Sequence, residues 1–110
     1  MAKLITTLSG DYDRILGQIE GGILNASVSA SLEDRADFRG ENSRCSVRVF
    51  ERYSYMGSNR VSMSVTLYQS GERIHLCAVT SGGSQAVFFK VNTFGEEAFL
   101  DTLRDVLRTI

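Results

Sequence analysis

From residue 26 to residue 91, apolar and polar residues alternate with a period of two, and short glycine-containing segments interrupt the alternation. A period of two places every apolar side chain of a strand on one face of a sheet. Such a run predicts half-buried strands joined by tight turns, as in an antiparallel meander. This pattern constrains the fold most, because each turn also fixes the register of the two strands that it joins.

Six strands are predicted in total. The first spans Leu4 to Leu8, where β-branched residues are frequent. The apolar positions of the other five are Val28, Ala30 and Leu32; Cys45, Val47 and Val49; Val61, Met63, Val65 and Leu67; Ile74, Leu76 and Ala78; and Val87, Phe89 and Val91.

The turns between the later strands agree with this assignment. A two-residue loop at residues 70–71 pairs Leu67 with Ile74, and a second loop at the glycine pair of residues 82–83 leads into the sixth strand. Both registers place the apolar side chains on a common face, and a slip of one residue in either would separate them. A three-residue turn around Gly57 gives the same result for the third and fourth strands.

Two amphipathic helices are predicted outside the meander. The first ends at the glycine pair of residues 21–22. The second begins at Thr93, because Thr93 and Glu96 have the spacing of a capping box, in which each side chain satisfies a backbone donor of the other residue. The apolar stripes are Tyr12, Ile15, Leu16, Ile19 and Ile23 in the first helix, and Phe99, Leu100, Leu103, Val106, Leu107 and Ile110 in the second.

The element order is therefore β-α-β5-α, and we expect a single α+β domain over residues 1–110. A length of 110 residues fits one domain. Each helix has one stripe to bury, so both helices are expected on one face of a curved antiparallel sheet. This order is similar to that of the helix-grip fold of START and Bet v 1-like proteins, and to that of the TATA-binding-protein repeat. Element order alone implies no site.

A resemblance to a family extends over most of the chain. It runs from residues 53–55 (Tyr-Ser-Tyr) through residues 68–71 (Tyr-Gln-Ser-Gly) to the glycine pair at 82–83 and the final helix. These stretches resemble a bacterial family of about this length that is described only as uncharacterised. The resemblance implies a bacterial, cytosolic protein, and it implies no activity and no functional residues.

The nucleophilic and titratable residues do not assemble a catalytic or metal-binding set. His75 is the only histidine, and its predicted position on the outer face of the fifth strand places no carboxylate beside it. Cys45 is expected on the helix-covered face and Cys77 on the opposite one, so both are predicted to remain free thiols. We therefore expect a non-enzymatic protein without a cofactor or metal ion.

Charge and hydropathy favour a cytoplasmic protein. The formal charge is −1, from 12 basic and 13 acidic residues, so no global field attracts nucleic acid or a membrane surface. No apolar run approaches the roughly 18 residues that cross a bilayer. The short apolar run at the N-terminus does not resemble a signal peptide.

The predicted register leaves one sheet face without helices, and this face carries the candidate interface. Phe50, Cys77 and Phe88 fall in one row there, flanked by the cations Arg48 and Arg52 and by no acid. Three interpretations remain open: a solvated face, an interface with a second copy or a protein partner, and a site for single-stranded nucleic acid. The slightly acidic balance and the lack of an aromatic RNA-recognition motif argue against nucleic acid.

A ligand cavity between the sheet and the C-terminal helix is the second candidate site. Glu51 and Tyr53 continue the core-facing positions of the third strand, where a carboxylate and a phenol can orient a small ligand at the mouth of an apolar cavity. The predicted apolar walls are Met63, Leu76, Phe89, Phe99 and Leu103.

The sequence thus favours a small binding module that self-associates, as a dimer, through the uncovered sheet face. The alternative is a carrier of a small apolar ligand held between the sheet and the C-terminal helix. An open cavity would favour the carrier, and a filled core would favour the interaction module.

Overall fold

The computed structural model describes residues 1–54, 58–82 and 89–110, and it describes side chains over 1–54, 58–82 and 94–110. The elements in chain order are β1 (Ala2–Leu8), α1 (Tyr12–Asn25), β2 (Ser31–Arg39), β3 (Ser43–Ser54), β4 (Asn59–Ser70), β5 (Arg73–Gly82) and α2 (Phe89–Leu107). The predicted α+β class is confirmed: two helices accompany one antiparallel sheet.

The sheet has five strands in the order β1-β5-β4-β3-β2, and every neighbouring pair is antiparallel. Strands β2 to β5 follow one another as a meander, because short connections keep successive strands adjacent. Strand β1 lies at the far edge beside β5, so α1 carries the chain from one edge of the sheet to the other. Asp11 caps α1, since its carboxylate accepts a hydrogen bond from the Arg14 backbone nitrogen at 2.9 Å.

Both helices bury their apolar stripes against one face of the sheet, which we call the covered face. The core side chains there are Phe50, Val61, Met63, Val65, Leu67, Ile74, Leu76 and Ala78 from the sheet, and Tyr12, Ile15, Leu16, Ile19, Ile23, Phe99, Leu100 and Leu103 from the helices. The predicted core faces of β4 and β5 and the predicted stripes of both helices are therefore confirmed in this part of the fold.

The β4–β5 hairpin has the predicted faces but a shifted loop. Leu67 pairs with Leu76 rather than with Ile74, because the two loop residues are Gly71 and Glu72. Gly71 has a φ of +65°, which the first central position of a type II′ turn requires and which glycine adopts without strain. The shift is two residues, so each side chain keeps its face.

The predicted orientation of β3 is wrong. Phe50 pairs with Met63 rather than with Ser64, a slip of one residue that turns every β3 side chain to the other face. The cause is the length of the connection: four residues separate Ser54 from Asn59, where a three-residue turn was expected.

As a consequence, three residues of the predicted interface lie under the helices. Phe50 is fully buried in the core, and Arg48 and Arg52 also point to the covered face. Glu51 and Tyr53, predicted to face the core, alternate with these residues along β3 and therefore belong to the other face of the sheet.

Helix α1 and strand β2 differ from prediction at their boundaries. The helix continues through Gly22 to Asn25, because Gly22 lies where the two helices touch: a Cβ there would be 2.5 Å from a methyl group of Val106. Val28 was placed in a strand, but it lies in a turn and is fully exposed, and β2 begins at Ser31.

The predicted sixth strand is absent in the part that the structure describes. Phe89 and Val91 lie in α2, since so short an apolar run fits a helix as well as a strand. Thr93 is therefore inside the helix rather than at its cap, and the Glu96 carboxylate lies 2.9 Å from the Met1 nitrogen. Val87 lies outside the described residues. Neither helix, over the ranges described, combines the length and the apolarity needed to cross a membrane.

Candidate interaction surface

The face of the sheet opposite the core, which we call the open face, has no described helix against it. Its residues are those of the alternate parity: Lys3, Ile5 and Thr7 from β1; Asp34, Ala36 and Phe38 from β2; Cys45, Val47, Val49, Glu51 and Tyr53 from β3; Arg60, Ser62, Ser64, Thr66 and Tyr68 from β4; and Arg73, His75, Cys77, Val79 and Ser81 from β5.

The strand registers align these side chains in rows that cross all five strands. One row is Ile5, Cys77, Thr66, Val47 and Ala36. On one side of it lies the row Lys3, Val79, Ser64, Val49 and Asp34. On the other side lies the row Thr7, His75, Tyr68, Cys45 and Phe38. Together the rows form a continuous surface of mixed but mainly uncharged side chains.

Apolar side chains are accessible across this surface. Ile5 is 67% exposed at the β1 edge, and Phe38 is 64% exposed at the β2 edge. Val47 and Val49 are partly exposed between them. Several accessible apolar side chains on one sheet face favour a surface that binds something, whereas apolar residues scattered singly over a molecule do not.

The charges of the open face are of both signs, which corrects the expectation of cations alone. Glu51 accepts a hydrogen bond from Arg60 Nε at 2.8 Å, so these two charges compensate each other. Lys3 and Asp34 stand at the two ends of one row, on opposite edges of the sheet. Neither forms an ion pair with any other residue that the structure describes.

Ser46 and Arg48, two of the polar side chains that β3 turns inward, belong to a network on the covered face. Arg48 is 5% exposed, and its guanidinium contacts the Glu20 carboxylate of α1 at 2.8 Å and the Asp37 carboxylate of β2 at 3.1 Å. Hydrogen bonds from Ser46 and from Arg48 lower the pKa of Asp37. Tyr12 adds a hydroxyl that lies 2.9 Å from Ser46 Oγ and 2.8 Å from the Leu67 carbonyl oxygen.

The predicted interface residues are thus divided between the two faces. Cys77 lies on the open face as expected, Phe50 and Arg48 lie in the covered core, and Phe88 is outside the described residues. Cys45 also lies on the open face, contrary to prediction, and both thiols are free. The residues that sequence reasoning missed are Val47 and Val49, whose alternation was assigned to the core.

His75 lies on the open face as predicted. It is opposite Tyr68 and Thr7, and its ring stacks on that of Tyr68 with centroids 6.2 Å apart. Among the described residues, no three His, Cys, Asp or Glu side chains come together as metal ligands would.

The predicted walls of the ligand cavity meet inside a filled core. Met63, Phe99 and Leu103 have no accessible surface, so no water-sized space adjoins them. Leu76 is buried in the same cluster. The side chain of Phe89 is outside the described set, and Glu51 points away from this core.

Comparison with known proteins places the chain in a family without assigning it an activity. No curated protein matches it. The model of a family described as of unknown function, DUF6054, matches residues 1–110, and the chain therefore belongs to that family.

Proposed function

We propose that this protein is a small, non-enzymatic interaction module whose open face packs against the open face of a second copy. The observation that carries the proposal is the orientation of β3. This strand buries Arg48 and Ser46 under the helices and directs Val47 and Val49 outward. Burying one such valine side chain contributes about 1.5–3 kcal/mol of free energy. In a lone subunit both valines are only partly buried, so part of this free energy is not gained. Covering the open face would supply the missing part.

A second copy fits this face because Lys3 and Asp34, at opposite edges of one row, are complementary under a twofold rotation. The axis would run parallel to the strands and lie over the central strand β4. It would place β1 of one subunit on β2 of the other, so that Lys3 meets Asp34 twice. In the neighbouring row the large Ile5 would meet the small Ala36, which suits interdigitated packing of two sheets.

The size of the face predicts a weak dimer. Five strands about 4.8 Å apart, each contributing about seven residues of about 3.3 Å, cover roughly 550 Å². Two such faces remove roughly 1,100 Å² from water, just below the standard size of a stable interface. We therefore expect a dissociation constant in the micromolar range after the costs of association.

Single-stranded nucleic acid remains the weaker alternative for the same face. Tyr68, His75 and Phe38 form an aromatic row on which bases can stack. Asp34 and Glu51 lie on the same surface and repel phosphates. A fluorescent oligonucleotide that fails to bind at low salt is the expected result.

A charge exchange tests the proposed geometry. Sedimentation velocity of the parent over 1–500 µM protein, a range chosen around the expected micromolar affinity, should show a monomer–dimer equilibrium. Lys3→Glu or Asp34→Lys alone should raise the dissociation constant at least tenfold, because each creates like-charge contacts. The double exchange Lys3→Glu/Asp34→Lys should restore it.

The matched control is Glu41→Lys, which makes the same charge change as Asp34→Lys in the exposed β2–β3 turn. It should leave the dimer unchanged. A parent that stays monomeric throughout, or single exchanges that dimerise as the parent does, would refute the proposed dimer. A dimer that the double exchange fails to restore would refute the twofold axis.

A further inference from the structure

A pocket of about 350 Å³ opens where the end of β3 meets helix α2 and the chain that follows α1. Arg52 and Ser54 line it from β3, Ser27 from the α1–β2 connection, and Phe94, Gly95 and Ala98 from α2. Arg52 and Ser54 belong to the covered side of β3, so the pocket lies outside the three rows of the open face that form the proposed dimer; Tyr53, at the end of the open face, also lines it.

Among the described residues that line this pocket, Arg52 is the only charged one. It contacts no carboxylate in the part of the chain that the structure describes. Its two neighbouring arginines differ: Arg48 pairs with Glu20 and Arg60 pairs with Glu51, each at 2.8 Å. A partly buried guanidinium without an anion is energetically unfavourable, because desolvation penalises its charge. Burial accordingly lowers the pKa of Arg52.

The Arg52 guanidinium is held in position by two contacts with helix α2. Its Nη1 donates a hydrogen bond to Thr102 Oγ1 at 3.0 Å, and its central carbon lies 4.7 Å from the centroid of the Phe99 ring. Its other nitrogens have no hydrogen-bond partner among the described side chains and backbone groups. A planar, pre-positioned guanidinium with free donors matches a carboxylate.

The remaining walls of the pocket combine hydroxyl groups with apolar surface. Ser27 and Ser54 supply the hydroxyls, and Phe94 and Ala98 supply the apolar part. Gly95 permits the close approach of α2 to β3, because a Cβ at this position would lie 2.7 Å from Ser54 Oγ. The lining therefore combines one positive charge and hydroxyl groups with apolar surface.

We propose that this pocket binds a small organic monocarboxylate, with the carboxylate on Arg52 and an apolar chain or ring against Phe94 and Ala98. A single cation balances one negative charge, so a monoanion fits better than a phosphate dianion. The volume holds about ten water-sized groups, which limits the ligand to a short chain or one ring.

Hexanoate is a suitable probe, and its binding can be followed by titrating the ¹⁵N-labelled full chain in NMR. We expect saturable shifts confined to residues around the pocket. Hexan-1-ol, which lacks the charge, should bind at least tenfold more weakly, and so should acetate, which lacks the chain. Inorganic phosphate should not compete. No saturable binding of hexanoate, or tighter binding of phosphate, would overturn the proposal.

Two variants test the contributions of the positive charge and of the apolar space to binding separately. Arg52→Gln should weaken hexanoate binding by about tenfold to a hundredfold, the contribution of a charge-assisted hydrogen bond. Ala98→Leu keeps the positive charge of Arg52 but fills the apolar part of the pocket. It should weaken hexanoate binding at least tenfold and leave acetate binding unchanged. Arg60→Gln removes a neighbouring arginine outside the pocket and should bind as the parent does.

Each variant's fold is checked by its amide spectrum before titration. If Arg52→Gln does not fold, Ala98→Leu still decides the question, because unchanged hexanoate binding in that variant would place the ligand elsewhere. Equal hexanoate affinity in parent and folded Arg52→Gln would equally refute the site.

Discussion

The neighbouring strands β3 and β4 distribute polar and apolar side chains differently between the two faces of the sheet. Strand β4 follows the usual rule: Val65 and Met63 lie under the helices, and Ser64 faces outward. Strand β3 inverts it, with Arg48 under the helices and Val49 facing outward. Apart from Phe50, β3 thus turns polar residues to the face on which the adjacent β4 buries apolar ones.

This difference shows that alternation identifies a strand but does not decide which of its faces is buried. The inward Arg48 of β3 is acceptable because α1 and β2 supply Glu20 and Asp37 as its partners. The outward valines have no described element packed over them. The covered face is therefore packed by the chain's own helices, whereas the open face, as far as the structure describes the chain, is not.

The largest expected effect contrasts neighbouring β3 residues on opposite faces. Phe50→Ala should lower the free energy of unfolding by about 3–5 kcal/mol, because it leaves a cavity in the core. Val49→Ala should lower it by less than about 1 kcal/mol at concentrations where the protein is monomeric. Urea unfolding at 1 µM protein, a concentration below the expected micromolar dissociation constant, measures both. Similar losses for the two variants would mean that β3 does not distinguish the faces as described.

The second prediction concerns the inward arginine. Arg48→Met should cost about 2 kcal/mol, less than for a fully buried pair, because Glu20 and Asp37 retain some contact with water. Arg35→Met is the control: it removes an exposed arginine opposite Arg48 on β2, and it should change stability by under about 0.5 kcal/mol. Equal effects would show that the network does not stabilise the β2 edge.

The third prediction tests how closely the helices pack on the covered side. Gly22→Ala should destabilise the protein by about 1–2 kcal/mol, since its methyl group would overlap Val106. Gly21→Ala adds the same group where nothing lies within 4 Å. It should stabilise the protein by about 0.5–1 kcal/mol through helix propensity alone. A stabilising Gly22→Ala would mean that the helices are further apart than the structure has them.

Much of the covered side follows from the sequence because its elements repeat their pattern several times. Five residues from Tyr12 to Ile23 fix the buried stripe of α1, and the two-residue shift in the β4–β5 hairpin leaves both faces correct. The sequence-based prediction fails where a difference of one residue in a connection determines which face of the sheet a strand's side chains occupy. A single extra residue between Ser54 and Asn59 reverses the whole of β3.

The candidate sites were less accessible to sequence reasoning, because they depend on contacts between distant segments. Arg48 pairs with carboxylates, whereas Arg52 contacts a hydroxyl and, among the described residues, no carboxylate; both facts follow from where Glu20, Asp37 and Thr102 lie in space. The sequence nevertheless contained a signal that Arg48 is buried. Ser46 and Arg48 alternate with valines in a strand beside α1, and Glu20 of α1 is placed to meet an inward arginine.

The smallest expected effect is the pH dependence of the β2 edge. Hydrogen bonds from Ser46 and Arg48 lower the pKa of Asp37 in the folded state, below its value of about 3.9 in an unfolded chain. Its stabilising contribution is therefore complete above about pH 4, the unfolded value, and is lost as the pH falls through the lower folded value. The Asp37 side chain is 57% exposed, so solvent screening limits this contribution to about 1 kcal/mol or less.

Asp37→Asn tests this contribution directly. The variant should be slightly less stable than the parent at pH 7 and should lose less stability between pH 5 and pH 2, the interval over which such a carboxylate takes up its proton. Urea unfolding across this interval measures both differences. Ser46→Ala should show the same change in part, because it removes the first of the two hydrogen bonds. If the parent and Asp37→Asn lose stability in parallel on acidification, the inward polar network does not act through this carboxylate, and Arg48 is then compensated mainly by Glu20.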